Sequence, residues 1–241
     1  MTLRLIDDGY DFKVVLVDDS WVFRVPRRQG VLEALETELA ILPRLAQVLP
    51  IDVPRFELVS REPPFVAYRL LHGEPLVDED SSGVRAFLAA LHAIDPESLP
   101  LEHRDWVADY RARCAELERA VLPLLDAAER TRARDLFAEA ETLTGFRPAL
   151  VHGDLLPEHL LVHDGRLGAV IDWGDARVGD PALDYAWLLH GPFPDWDVDA
   201  DLRRRARFYH RLEPWFEAHY GIVVESREHL ERGLATIRER L

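Results

Sequence analysis

The feature that most constrains this chain is a change of hydrophobic period near His72-Gly73-Glu74-Pro75. Before it, apart from one helical run at Val31 to Leu49, apolar residues alternate as in strands. After it they recur every three or four positions, apart from an island of short apolar runs between Ala149 and Ile171. Tyr10 to Val17 and Trp21 to Val25 flank the turn residues Asp18-Asp19-Ser20, with Pro26 stopping the second run, so a hairpin is predicted. From Val31 to Leu49, Leu32, Leu35, Leu39, Leu42, Leu45 and Leu49 fall at helical spacing. Glu33, Glu36 and Glu38 lie early in that run, and Pro50 and Pro54 end it. Phe56 to Val59 and Phe65 to Leu70 read as two more strands, completing a small lobe. Then Gly83 to Ile94, Trp106 to Leu125, Ala127 to Leu143 and Leu202 to the C-terminus read as helices. The expectation is an α+β fold of two lobes, a small β-rich one over residues 1–73 and a larger, mainly helical one over 74–241.

Composition narrows the partners. With 241 residues, 48% of them hydrophobic, the chain can bury a large core. Its longest apolar stretches, such as Ala86 to Leu91, fall far short of a membrane span, and Met1 to Asp8 has neither a basic nor a hydrophobic leader segment. A cytoplasmic protein with no membrane association is expected. The net charge of -15 repels nucleic acid and favours a neutral or cationic small partner, while the association state stays open between monomer and dimer. Lys13 is the one lysine among 29 basic residues. Cys114 has no partner for a disulfide and, in a charged helical stretch, reads as a bland surface or groove thiol.

Chemistry concentrates in His152-Gly153-Asp154-Leu155-Leu156-Pro157-Glu158-His159 and, after a strand and a turn, in Ile171-Asp172-Trp173-Gly174-Asp175. Phosphoryl transfer asks the protein mainly for charge placement: a carboxylate to take a hydroxyl proton, and ligands for magnesium bridging the phosphates. Asp154 follows one apolar strand, His159 closes the same loop, and Asp172 ends a strand that would return alongside. His159 and His163 could suggest zinc, yet four residues along a strand separate them by roughly 13 Å. Asp195, Asp197, Asp199 and Asp201 alternate like a calcium loop, but Ala200 and Ala206 stand where Gly and Glu are needed. That segment reads as a solvated acidic loop or as an anionic rim drawing an ammonium-bearing substrate. Asp180 is expected to cap a helix opening at Pro181.

His152-Gly153-Asp154, His159, Ile171-Asp172-Trp173-Gly174-Asp175 and Gly179-Asp180-Pro181-Ala182-Leu183-Asp184 together resemble the aminoglycoside and macrolide phosphotransferases, small-molecule kinases of protein-kinase-like fold. The likeness runs from about Asp8 to Leu189. His159 and the Gly9-Tyr10-Asp11-Phe12 opening lean toward the macrolide branch, and the acidic charge suits aminoglycosides. Many relatives have Asn where His159 stands, and His159 either ligates the metal or orients the loop.

The resemblance implies transfer of the γ-phosphate of ATP or GTP to a hydroxyl of an antibiotic-like acceptor. It gives Asp154 the role of catalytic base and makes Asp172 and His159 the Mg2+ ligands. Arg24, in the usual lysine slot, steadies the donor phosphates and pairs with Glu38, while Tyr68, Leu70 and Leu71 form the nucleotide hinge. A kinase of a metabolite hydroxyl, an amino alcohol or a sugar, and a catalytically silent nucleotide-binding module are the alternatives.

Overall fold

A computed structural model describes residues 2–6, 11–77, 82–101 and 105–241. The chain forms two compact units, one from Met1–Glu102 with Ala149–Arg177, the other from His103–Pro148 with Val178–Leu241. The strand island between Ala149 and Ile171 thus packs with the N-terminal strands.

The first unit opens with β1 (Leu3–Ile6), β2 (Phe12–Val17) and β3 (Trp21–Pro26), followed by helix α1 (Leu32–Val48) and then β4 (Phe56–Arg61) and β5 (Pro64–Arg69). These strands make one sheet in the order β1-β2-β3-β5-β4. The hairpin forms as expected: Val17 faces Trp21 and Phe12 faces Pro26. Asp18 and Asp19 hold φ of 50° and 46° at its turn, a left-handed pair that hairpin twist requires and Asp tolerates. Strand β1 was not foreseen; it is an edge strand whose Leu3 and Leu5 are exposed. Leu35, Ile41, Leu42 and Leu45 bury one face of α1, and a carboxylate, Glu38, stands among them with no exposure at all.

The same unit continues through β6 (Glu74–Pro75), α2 (Val84–His92), β7 (Ala149–Val151), β8 (Leu160–His163) and β9 (Arg166–Val170). Strand β8 pairs with β6 and with β9, where Leu160 faces Val170. The β8–β9 hairpin sets the end of the loop carrying His159 beside the start of the loop carrying Asp172, and Ile171 N–H donates to the His159 carbonyl at 3.0 Å.

The second unit is built on α3 (Trp106–Val121), α4 (Ala127–Glu139), α5 (Ala182–Leu189), α6 (Ala200–Val223) and α7 (Arg227–Arg240). Its core centres on Tyr110, Leu117, Phe208, Leu212 and Trp215. Cys114 lies in this core, 4% exposed, and not at the surface: it falls on the inner stripe of α3 with Tyr110 and Leu117. Burial pushes its thiol up to about 12. The expected single C-terminal helix breaks at Val224–Ser226, where Glu225 takes φ of 54° and the Ser226 hydroxyl caps α7. The two helices touch through glycine: a Cβ on Gly233 would lie 2.5 Å from Ala218 N, one on Gly221 2.4 Å from Leu230 N.

Asp180, fully buried, starts α5 by accepting from Ala182 N–H at 2.9 Å, and also accepts from Arg205 Nε at 2.7 Å and the Tyr209 hydroxyl at 3.0 Å. Asp199 caps α6, and Asp201 pairs with Arg204 and Arg205, so half of the acidic segment serves the helix that follows it. No helix among the described residues is long and apolar enough to cross a membrane.

The imidazoles of His190 and His210 stack at 4.2 Å with 7° between their planes, and the Trp187 ring meets His210 edge-on. Burial, then Arg240 and His190, lowers His210 from 6.5 to about 3; burial, then Arg207, Arg240 and Arg203, lowers His190 despite its bond to the Ala186 carbonyl. Both rings are therefore neutral in the fold but protonate at ordinary pH in the unfolded chain, so stability falls as pH drops below about 6.5. The unfolding temperature should decline between about pH 7 and pH 5 in wild type and decline less in His210→Phe. Parallel declines in the two proteins would remove the pair as the cause.

Candidate active site

Strand alternation puts Val22 and Arg24 on the inner face of β3. The Arg24 guanidinium is 5% exposed and lies 4.0 Å above the Phe12 ring. Its Nη1 donates to both Glu38 oxygens, at 2.7 and 2.8 Å, and its Nη2 donates to Asp172 Oδ1 at 3.0 Å. Glu38 Oε1 also accepts the backbone N–H of Trp173 at 3.0 Å. Burial pulls the Arg24 guanidinium downward, but Glu38 and Asp172 more than reverse that and hold it firmly cationic. Burial lifts the Glu38 carboxyl above its ordinary value, against the pull of Arg24 and of the Trp173 N–H. For Asp172 burial also pulls upward, yet Arg24 outweighs it and holds the carboxyl below its ordinary value.

The two loops are clamped by histidines. Within the loop after β7, His152 bonds through Nε2 to the Ile171 carbonyl at 3.0 Å, which fixes the proton on Nε2 and leaves Nδ1 to accept the Asp154 N–H at 3.4 Å. His159 Nδ1 lies 2.7 Å from the Asp154 carbonyl; a carbonyl only accepts, so Nδ1 carries the proton and Nε2 keeps its lone pair. That Nε2 stands 3.7 Å from Asp172 Oδ2. Gly153 holds φ of 88°, and a Cβ there would meet the Asp175 carbonyl oxygen at 2.3 Å, so only glycine permits this approach. Asp172 itself adopts φ of 64°, a left-handed conformation that turns the chain sharply after β9. Trp173, wholly buried, donates its indole N–H to the Val170 carbonyl and packs edge-on against Phe87.

Five of the residues singled out from sequence, Arg24, Glu38, Asp154, His159 and Asp172, therefore form one connected group. Asp154 and Asp172 keep side chains 42% and 48% exposed, open to a ligand, while Arg24 and Glu38 are sealed behind them. Of the hinge residues, Tyr68 lies inside the ladder between Val22 and Phe56, and burial pushes its phenol up to about 12. Leu70 N–H donates to the Ser20 carbonyl; the backbone groups of Leu71 make no hydrogen bond among the described residues. The Gly9-Tyr10 part of the opening motif lies outside the described residues, and Lys13 is exposed on β2 opposite Val25. Two roles were not read from sequence: His152 as the clamp between loops, and the Trp173 amide as a second partner for Glu38.

A sheet-plus-helix unit presenting a buried Arg–Glu pair beside two ionisable loop carboxylates defines the kinase-like phosphotransferases that act on hydroxyl groups. The model of the phosphotransferase enzyme family matches residues 2–219, and the chain belongs to that family. It is 25% identical to aminoglycoside 2'-phosphotransferase-IIIa, solved as its GDP complex, with a TM-score of 0.88 over 100% of this chain and 92% of that one. It is 28% identical to the macrolide 2'-phosphotransferase MphH of Brachybacterium faecium, with a TM-score of 0.78 over 98% and 92% of the two chains. Viomycin phosphotransferase of Streptomyces vinaceus is 29% identical over 148 residues, 52% of this chain and about half (49%) of that protein.

Glu38→Ala would leave a buried guanidinium with one carboxylate and orphan the Trp173 N–H, so a loss of about 3–5 kcal/mol is expected in denaturant unfolding. Gly153→Ala should also destabilise, since both the backbone angle and the Asp175 carbonyl oppose a Cβ. Wild-type midpoints for these variants would contradict the packing described.

Proposed function

We propose that the chain transfers the γ-phosphate of ATP or GTP to a hydroxyl of an antibiotic-like acceptor, an aminoglycoside or a macrolide, in the cytoplasm. The observation that carries this reading is the linked set Asp154, His159 and Asp172, backed by the buried Arg24–Glu38 pair. Residues 1–73 would serve as the nucleotide-binding lobe, with Tyr68, Leu70 and Leu71 at the hinge, and 74–241 as the catalytic and acceptor lobe.

The Asp172 carboxylate is the oxygen donor that Mg2+ prefers, and His159, whose Nε2 stands 3.7 Å from Asp172 Oδ2, would be the less usual imidazole ligand beside it. Among the described residues no three His, Cys, Asp or Glu side chains gather as a metal cage, in keeping with an ion that takes its remaining ligands from phosphates and water. When bound, the ion would neutralise charge on the β- and γ-phosphates.

Asp154 accepts the proton of the acceptor hydroxyl as the new oxygen–phosphorus bond forms and the bond to the β-phosphate oxygen breaks. Arg24, held rigid by Glu38, keeps the Asp172 carboxylate ionised and oriented toward the donor phosphates. The net charge of -15 draws a polycationic acceptor, and the relatives named for aminoglycoside, macrolide and viomycin substrates support the antibiotic class.

Turnover with ATP and GTP against a panel of aminoglycosides and macrolides tests the acceptor; indifference to all of them, with phosphorylation of an amino alcohol or sugar, would replace it. Asp154→Ala should cut transfer by about 100-fold or more while nucleotide binding persists. Asp172→Ala should additionally weaken Mg2+-dependent nucleotide binding. Normal turnover in both variants would refute the role assignment.

A further inference from the structure

The helical unit carries a groove of about 430 Å³ between α3 and α4, well away in sequence from the residues of the transfer site. Leu122 and Pro123 contribute apolar lining, and Arg119, Arg130 and Arg134 line the same groove with Glu118 as the single acid. None of these three guanidiniums forms an ion pair among the described residues, although Glu118 shares the groove with them. The nearby acids are committed elsewhere. Asp126 and Glu129 close a capping box at the start of α4, and Glu129 also receives Arg238 Nε at 3.0 Å. Arg130 and Arg134 stand four apart on one helix, a like-charge spacing that costs the helix stability. In a chain of net charge -15, three arginines gathered against one glutamate in a single concavity form a local reversal of the global field.

We propose that this groove binds a small molecule bearing a multiply charged phosphate, with the phosphate on Arg119, Arg130 and Arg134 and any apolar portion against Leu122 and Pro123. Guanidinium forks arriving from two helices suit a tetrahedral oxyanion, which presents oxygens in several directions, better than a carboxylate with its one planar edge. With one glutamate against three arginines, the lining leaves two positive charges, which a phosphate dianion balances.

The test is calorimetric titration of the full chain with inorganic pyrophosphate in the absence of divalent cations. Wild type should bind saturably, Arg119→Gln/Arg134→Gln should bind about tenfold or more weakly, and citrate should bind much less well than pyrophosphate. Arg119 and Arg134 are exposed, so the double variant should keep the wild-type unfolding temperature, and Arg130→Gln alone provides a milder second variant with the same direction of effect. No binding by wild type, or equal binding by the arginine variants, would overturn the site; equal affinity for citrate would overturn the phosphate class.

Discussion

The buried guanidinium of Arg24 is the interaction on which the candidate site depends. It sits between two carboxylates from distant parts of the chain, Glu38 on α1 and Asp172 after β9, and its planar fork lets it serve both at once. Removing charges from water is costly, and the cost is recovered only where every donor and acceptor is matched. Glu38 meets that condition by taking Nη1 on both oxygens and the Trp173 N–H besides. The group keeps one net negative charge, and it falls on Asp172, the exposed member. A cation arriving there completes the neutralisation instead of disturbing it.

That arrangement explains the backbone around Asp172. A non-glycine residue at φ of 64° is unfavourable in isolation. Here the residue is held from both sides: its side chain by Arg24, and the next amide by Glu38. Trp173 adds a third restraint, since its indole bonds back to Val170 within the same turn. The strained turn is therefore a consequence of the ion-pair network and persists because α1 carries its one buried carboxylate on the apolar stripe.

How much of this the sequence reveals depends on how local the determinant is. The face of β3 that carries Arg24 and the apolar stripe of α1 that carries Glu38 are legible because both patterns span a few residues. The contiguous loop motifs made Asp154, His159 and Asp172 legible in the same way. The Glu38 bond to the Trp173 amide joins positions 135 apart and uses a backbone group every residue has, so no side-chain pattern announces it. Strand β1 was hidden because its alternation, Leu3-Arg4-Leu5-Ile6, runs for only four residues, all of them exposed on an edge strand. Cys114 was misread because its neighbours in sequence are charged, whereas its neighbours along the helix face, Tyr110 and Leu117, are not.

The tautomer of His159 shows what any side chain at this position must supply. The loop needs one group that donates to the Asp154 carbonyl and one that offers a lone pair toward Asp172. Imidazole supplies both from opposite ring nitrogens; a carboxamide supplies both from its NH2 and its oxygen. The residues are thus equivalent in hydrogen-bond logic while differing in acid–base behaviour.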